Sequence, residues 1–196
     1  LIPTITEVLA EAGMEYSDLD AVVTGVGPGP FTGLRVGMAT ASALADALSI
    51  PLHGICTHDA IAAAAELPID PAAAAEEATA LVATDARRKE IYWATYRATD
   101  SGVQRISGPA VTKPAELEVE LASTAEVIIP DRLAEQLPER LAALPHRAAH
   151  PSATALVAAA DLEAEPAPVV PLYLRRPDAV PPKQKQLSAA IPRVEL

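Results

Sequence analysis

An α/β layered fold is predicted for this 196-residue chain, and three observations predict it. The run Asp20–Val26 is apolar enough to be a strand buried on both faces, hence parallel and central. It enters a Gly/Pro-dense turn, Gly27–Gly33, that passes directly into the almost uncharged helical stretch Gly33–Ser49. A second short strand, Pro51–Ile55, and a further helix, His58–Glu66, follow. Strand, loop, helix, strand, helix is the order of an α/β layer.

The remaining elements follow in chain order. Leu1, Ile2, Ile5, Val8, Leu9 and Ala12 recur at helical spacing, and Gly13 is a stop signal. Pro3 is tolerated because it lies in a first turn. Thr57 is the expected N-cap of the helix that begins at His58. Leu67–Ala78 carries two prolines and no clear apolar period, which marks a linker. Thr79–Ala86 and Glu90–Ala98 read as an antiparallel hairpin around Arg87-Arg88-Lys89, closed further by a turn at Thr99–Gly102. A weak helix (Pro114–Ser123), a strand (Glu126–Pro130) and helices at Asp131–Leu137 and Ser152–Leu162 complete the pattern, with an irregular stretch from Glu163. The expected organisation is a first lobe over 1–70, a second over 71–165 and a Pro-rich basic tail over 166–196.

Half the residues are hydrophobic but few are aromatic, so the core should be aliphatic and built from small residues. Net charge is −11. From Leu172 onward five basic residues face Asp178 and Glu195, a net of +3 that leaves −14 on the rest. Such a body repels phosphate backbones, and a partner must supply most of any nucleic-acid surface. Cys56 is the sole cysteine, so no intrachain disulfide can form, which fits a reducing cytosol. No basic-then-apolar leader and no apolar run near about 18 residues is seen, so neither secretion nor membrane spanning is expected. The chain opens on Leu1 already inside a helical pattern, and reads as missing its true N-terminus.

The turn Gly27-Pro28-Gly29-Pro30-Phe31-Thr32-Gly33 fails two phosphate-binding tests. Its glycines are spaced GxGxxxG, one residue too long for the dinucleotide fingerprint, and Leu34 stands where a P-loop needs lysine. Arg35 lies in the first turn of the helix, against the macrodipole. It is either held by a contact elsewhere, such as a carboxylate or phosphate, or simply solvated. Gly33, Gly37, Ala41 and Ala45 recur every four residues, leaving a stripe that another helix could approach closely, either in the core or at an interface. His146 and His150 have i,i+4 spacing, but Pro145 and Pro151 oppose a regular helix and metal binding there. Cys56 has no basic neighbour and reads as a small core residue. Asp59, Asp85 and Glu90 have no convincing catalytic partner.

Gly27–Ile55 (GPGPFTGLRVGMATASALADALSIPLHGI), Thr84–Tyr92 (TDARRKEIY) and Pro171–Arg175 (PLYLR) together resemble the TsaB (YeaZ) family closely. That family is the dimerization subunit of the bacterial tRNA N6-threonylcarbamoyladenosine complex, and the resemblance covers about Leu1–Arg175. It implies a two-lobe fold of the actin/sugar-kinase/Hsp70-like (ASKHA) class, and a cytoplasmic subunit without catalysis of its own. The expected partners are a TsaD-like catalytic paralogue and a TsaE-like ATPase, to which ATP and metal belong. tRNA is expected to be met only through the complex, with a homodimer open when the chain is alone and no membrane involved. No catalytic, cofactor or metal residues are expected in this chain.

The paralogue carries HMEGH, whose outer histidines bind metal, where this chain has Thr57-His58-Asp59-Ala60-Ile61; neither Thr57 nor Ile61 is a ligand. The family normally opens with strands that precede the first helix here. A first lobe without them is expected to expose sheet edges and be prone to aggregation. In the family, helices of the first lobes pack into a four-helix interface. Leu1, Ile5, Val8, Arg35, Gly37, Ala41 and Ala45 are the residues expected there. A nucleotide-dependent phosphotransferase of the same fold is the alternative reading, and it would require a phosphate loop and an Asp base upstream of Leu1.

Overall fold

The computed structural model describes residues 1–65, 67, 79–100, 102–119 and 124–175. The expected linker beyond Leu67, the end of the Pro114–Ser123 helix and the tail past Arg175 therefore lie outside the described residues.

Helix α1 (Ile2–Ala12) stops at Gly13, which takes φ 70° and ψ 27°. Gly13 N–H donates to the Ala10 carbonyl at 3.1 Å and Met14 N–H to that of Leu9 at 2.9 Å. This is a Schellman close, and the left-handed residue it needs is favoured as glycine. Strand β1 (Val22–Gly27) runs parallel to β2 (Leu52–Cys56), with Val22 opposite Leu52 and Gly25 opposite Ile55. Helix α2 (Phe31–Leu48) makes the crossover, and starts two residues before the predicted Gly33 because Phe31 and Thr32 already follow a Pro30 N-cap. In α3 (Thr57–Ala64) Cys56 is the N-cap, and Thr57 is the first helical residue instead of the predicted cap.

The second sheet has the order β5-β4-β3-β6-β7. Its strands are β3 (Thr79–Asp85), β4 (Ile91–Thr99), β5 (Gly102–Thr112), β6 (Thr124–Ile128) and β7 (His146–Arg147). β3 is central, antiparallel to β4 and parallel to β6. Its first five residues are all buried, the continuous burial of a strand covered on both faces. On one face Leu81, Ala83, Ile91 and Val127 pack under Leu133, Leu137 and Leu141. These leucines come from α4 (Asp131–Ala134), α5 (Glu139–Ala142) and the turn between them. On the other face Ala80, Val82, Ala94, Tyr96 and Ile128 meet Ile61, Ala62 and Ala65. The last helix before the linker thus contributes to the core of the second sheet.

Several elements differ from the expectation. β5 is a full strand, although no strand is predicted past the Thr99–Gly102 turn. The predicted Asp131–Leu137 helix stops at Ala134, and Pro138 caps a separate α5. Among the described residues of the expected Pro114–Ser123 helix, a 3-10 turn forms at Pro114–Glu116. Helix α6 (Ala153–Ala158) is shorter than predicted, but Ser152 caps it, its Oγ accepting from Ala155 N–H at 3.0 Å. At Gly108 (φ +82°) the β4–β5 pairing bulges, and an added Cβ would stand 2.7 Å from the Trp93 carbonyl oxygen.

Candidate interaction site at the lobe junction

Three stretches far apart in sequence meet around a cleft of about 420 Å³. They are Gly29–Thr32 at the foot of α2, the turn between β3 and β4, and Leu172–Arg175. The last stretch is irregular, as predicted, yet it is docked. Leu172 N–H donates to the Val26 carbonyl at 2.8 Å, alongside β1. The Tyr173 ring lies 5.2 Å from that of Phe31. Arg175 pairs with Glu90 at 3.0 Å and reaches the Ala86 carbonyl at 3.4 Å.

Arg35 resolves within this clasp. Its guanidinium sits 3.9 Å over the Phe31 ring and 5.5 Å from that of Tyr173, while Nε donates to the Tyr173 hydroxyl at 2.7 Å. Of the two readings open in sequence, the contact wins, but with aromatic rings and a phenol in place of a carboxylate or phosphate. A cation–π contact worth about 0.5–1 kcal/mol offsets the unfavourable position at the helix N-terminus, which costs about 0.3–1 kcal/mol.

The β3–β4 turn is the most strained backbone nearby. Arg87, Arg88 and Lys89 take φ of 62°, 53° and 62°, a left-handed conformation costing roughly 1–2 kcal/mol per residue. Ala86 N–H donates to Glu90 O and Glu90 N–H to Arg87 O, each at 3.0 Å. Asp85 accepts from Arg87 N–H at 2.6 Å and pairs with Arg132 at 2.8 Å. Partial burial raises the Asp85 carboxyl, but the Arg87 N–H and then the Arg132 guanidinium outweigh it and hold the group below the usual range. All three turn residues are exposed. Nothing local signalled the geometry, since the turn contains no Gly or Asn.

A second polar group ties α3 to the second sheet. His58 is fully buried, its Nε2 lies 2.9 Å from Thr84 Oγ1, and its Nδ1 has no hydrogen-bond partner among the described residues. Burial, and then the Arg105 charge, pull its pKa down to about 4, so the ring is neutral near pH 7. Asp59 accepts from the Tyr96 hydroxyl at 2.7 Å and faces Arg105 at 3.6 Å. Burial and then Asp59 push the Cys56 thiol up, which keeps it protonated and a poor nucleophile. His146 belongs to β7, not to a helix that would aim it with His150 at one ion.

The residues expected at an interface fall into two groups. Leu1 and Val8 are 61% and 57% exposed, Arg35 is exposed, and Ile5 is half-buried. Gly37 and Ala41 are half-buried, and Ala45 is 3% exposed, covered within the chain itself. The small-residue stripe is therefore covered at its Ala45 end and open at its start, where a Cβ added at Gly33 or Gly37 would meet nothing within 4 Å. Val36, 52% exposed, was not singled out in sequence but stands on the outer face. Only Ala45 of α2 and only Leu9 of α1 are buried, although both helices are rich in apolar residues.

Residues 1–162 match the family model described as TsaD: tRNA N6-adenosine threonylcarbamoyltransferase. An uncharacterized protein of Mycobacterium tuberculosis is 44% identical over 182 residues, covering 92% of this chain and 76% of that protein. The tRNA threonylcarbamoyladenosine biosynthesis protein TsaB of Escherichia coli is 34% identical over 104 residues, covering 53% of this chain and 42% of that protein. The TsaB of Haemophilus influenzae is 40% identical over 94 residues, covering 47% and 37%. Among solved structures, YeaZ from Pseudomonas aeruginosa superposes with a TM-score of 0.70 at 26% identity, covering 89% of this chain and 82% of that one.

Proposed function

The chain belongs to the TsaB branch of the TsaD family, with an ASKHA-like α/β fold, and from that premise we propose that it is the supporting subunit of a tRNA threonylcarbamoyladenosine complex. It has no catalytic centre of its own in this reading. It pairs with a TsaD-like threonylcarbamoyltransferase, and ATP and metal are handled by that subunit and a TsaE-like ATPase.

One observation carries the reading. Two apolar helices of the first lobe cover almost none of their own side chains, and leave Leu1, Ile2, Val8 and Val36 exposed. Burying such a side chain in an interface contributes about 1.5–3 kcal/mol, so a few of them account for a stable pair. A charge placed among them removes that gain and adds a desolvation cost. The clasp and the neutral His58 are structural in this reading, and neither is placed to attack a substrate.

The test is co-expression with the TsaD-like subunit, reading pair formation by affinity capture and modified adenosine by nucleoside mass spectrometry. Val8→Asp and Val36→Asp should each weaken the pair by about 100-fold and abolish complementation of a strain lacking the subunit. Unchanged capture by both variants would refute the interface. Ala45→Leu is not a clean test, because it overpacks the lobe itself.

A further inference from the structure

The start of α2 is weak as a helix by its own sequence. Its N-cap is Pro30, which offers no side-chain acceptor, and no acidic residue stands in the first turn. Gly33 and Gly37 fall in the first two turns, and each weakens a helix relative to alanine. A Cβ added at either would meet nothing within 4 Å, so packing among the described residues does not account for them. Arg35 adds a cation at the positive end of the macrodipole. Yet Val36, an exposed side chain proposed to meet the partner, stands on this same stretch.

What steadies the start of α2 comes from the clasp. The Tyr173 hydroxyl accepts from Arg35 Nε at 2.7 Å, and the Tyr173 ring lies 5.2 Å from that of Phe31. Phe31 and Arg35 are one helical turn apart, with the guanidinium 3.9 Å over the Phe31 ring, so one tyrosine holds a whole turn. Its neighbours fix the tyrosine in turn. Leu172 N–H donates to the Val26 carbonyl at 2.8 Å, and Arg175 pairs with Glu90 at 3.0 Å. Val26 belongs to β1 and Glu90 to the turn between β3 and β4, so the clasp ties the start of α2 to both sheets.

We propose that Tyr173 is a positioning residue for partner binding: it orders the first two turns of α2 and so presents Val36 in the geometry that the TsaD-like subunit meets. The inference rests on the function proposed above. Tyr173 acts through Arg35 and Phe31, without itself touching the partner. A helix start that is ordered only part of the time lowers the apparent affinity by the fraction of time it is competent. Linkage requires the converse, so a partner that favours the ordered start also steadies the clasp.

The experiment uses the full chain, free and in complex with its TsaD-like partner, as wild type, Tyr173→Ala and Tyr173→Phe. Amide exchange over residues 31–37 is read in the free chain, partner affinity by titration calorimetry, and the fold by exchange over β3 and β4. Tyr173→Ala should speed exchange at 31–37 and weaken the pair by about tenfold, with β3 and β4 unchanged. Tyr173→Phe keeps the ring contact and loses the hydrogen bond, and should weaken the pair by about threefold. It carries the test alone if Tyr173→Ala does not fold. In wild type, bound partner should slow exchange at Leu172 and Tyr173. Wild-type affinity in the variants would overturn the inference, because the start of α2 would then hold itself. Weaker pairing with exchange at 31–37 unchanged would overturn it too, by making Tyr173 a direct contact. Val36→Asp separates the two levels. If it loses the partner while the tyrosine variants keep it, the proposed function stands and this inference falls. If Val8→Asp and Val36→Asp both pair as wild type, both fall.

Discussion

Acidification from pH 7.5 to pH 5 is expected to weaken the fold through one side chain, His58. Its imidazole is fully buried against Thr84, and burial lowers its pKa from the ordinary 6.5 to about 4. Between those values the unfolded chain binds a proton that the folded chain refuses, so stability falls as pH falls through this window. Above the window the ring is neutral in both states, and below it the ring is charged in both. The whole shift is worth about 3 kcal/mol, of which about 2 kcal/mol is already lost at pH 5. That is a large share of a typical total of roughly 5–15 kcal/mol. Urea unfolding at both pH values should be compared for wild type and His58→Gln. The glutamine amide can still meet Thr84 Oγ1 and does not titrate, so other ionising groups cancel in the comparison. Wild type should lose about 2 kcal/mol more than the variant on acidification. Equal losses, to within about 0.5 kcal/mol, would refute the reasoning.

Two further outcomes are expected. Gly108→Ala should destabilise the chain by about 1–3 kcal/mol in thermal or urea melts, since the new Cβ meets the Trp93 carbonyl at 2.7 Å and φ is +82°. Arg35→Ala should release the clasp at Tyr173, removing a cation–π contact and a hydrogen bond worth together about 1–2 kcal/mol. Faster amide exchange over residues 170–175, with the second sheet unaffected, is the readout; unchanged exchange would mean that the clasp is held by Leu172 and Arg175 alone.

What could be read from the sequence was local. Gly13 closes α1 because a left-handed C-cap favours glycine, and Thr79–Ala86 reads as a strand, whereas Asp20–Val26, expected to be central and covered on both faces, is parallel to β2 in a two-stranded sheet and only partly buried. β5 escaped because it is an edge strand, largely exposed on both faces and broken by Gly108-Pro109, so it shows no alternation. β7 is two residues long, too short to carry a period. α2 posed a different difficulty. Its composition fits a buried helix and an interface helix equally, and only its neighbours show that one face is left open. The partners of Arg35 and His58 lie 138 and 26 residues away, beyond any rule of spacing. The left-handed turn at Arg87–Lys89 lacks the glycine or asparagine that would mark it.

The clasp at Leu172–Arg175 also orders events during synthesis. Its partners, Val26, Phe31, Arg35, Ala86 and Glu90, leave the ribosome long before it does. Until then the foot of α2 and the β3–β4 turn have no such bridge between them, and the cleft lacks one of its three walls. A nascent chain stalled before Pro171 would present both lobes and no cleft. Whatever reads that cleft therefore reads only chains translated at least through Arg175, so the site reports how far synthesis has passed as well as the fold.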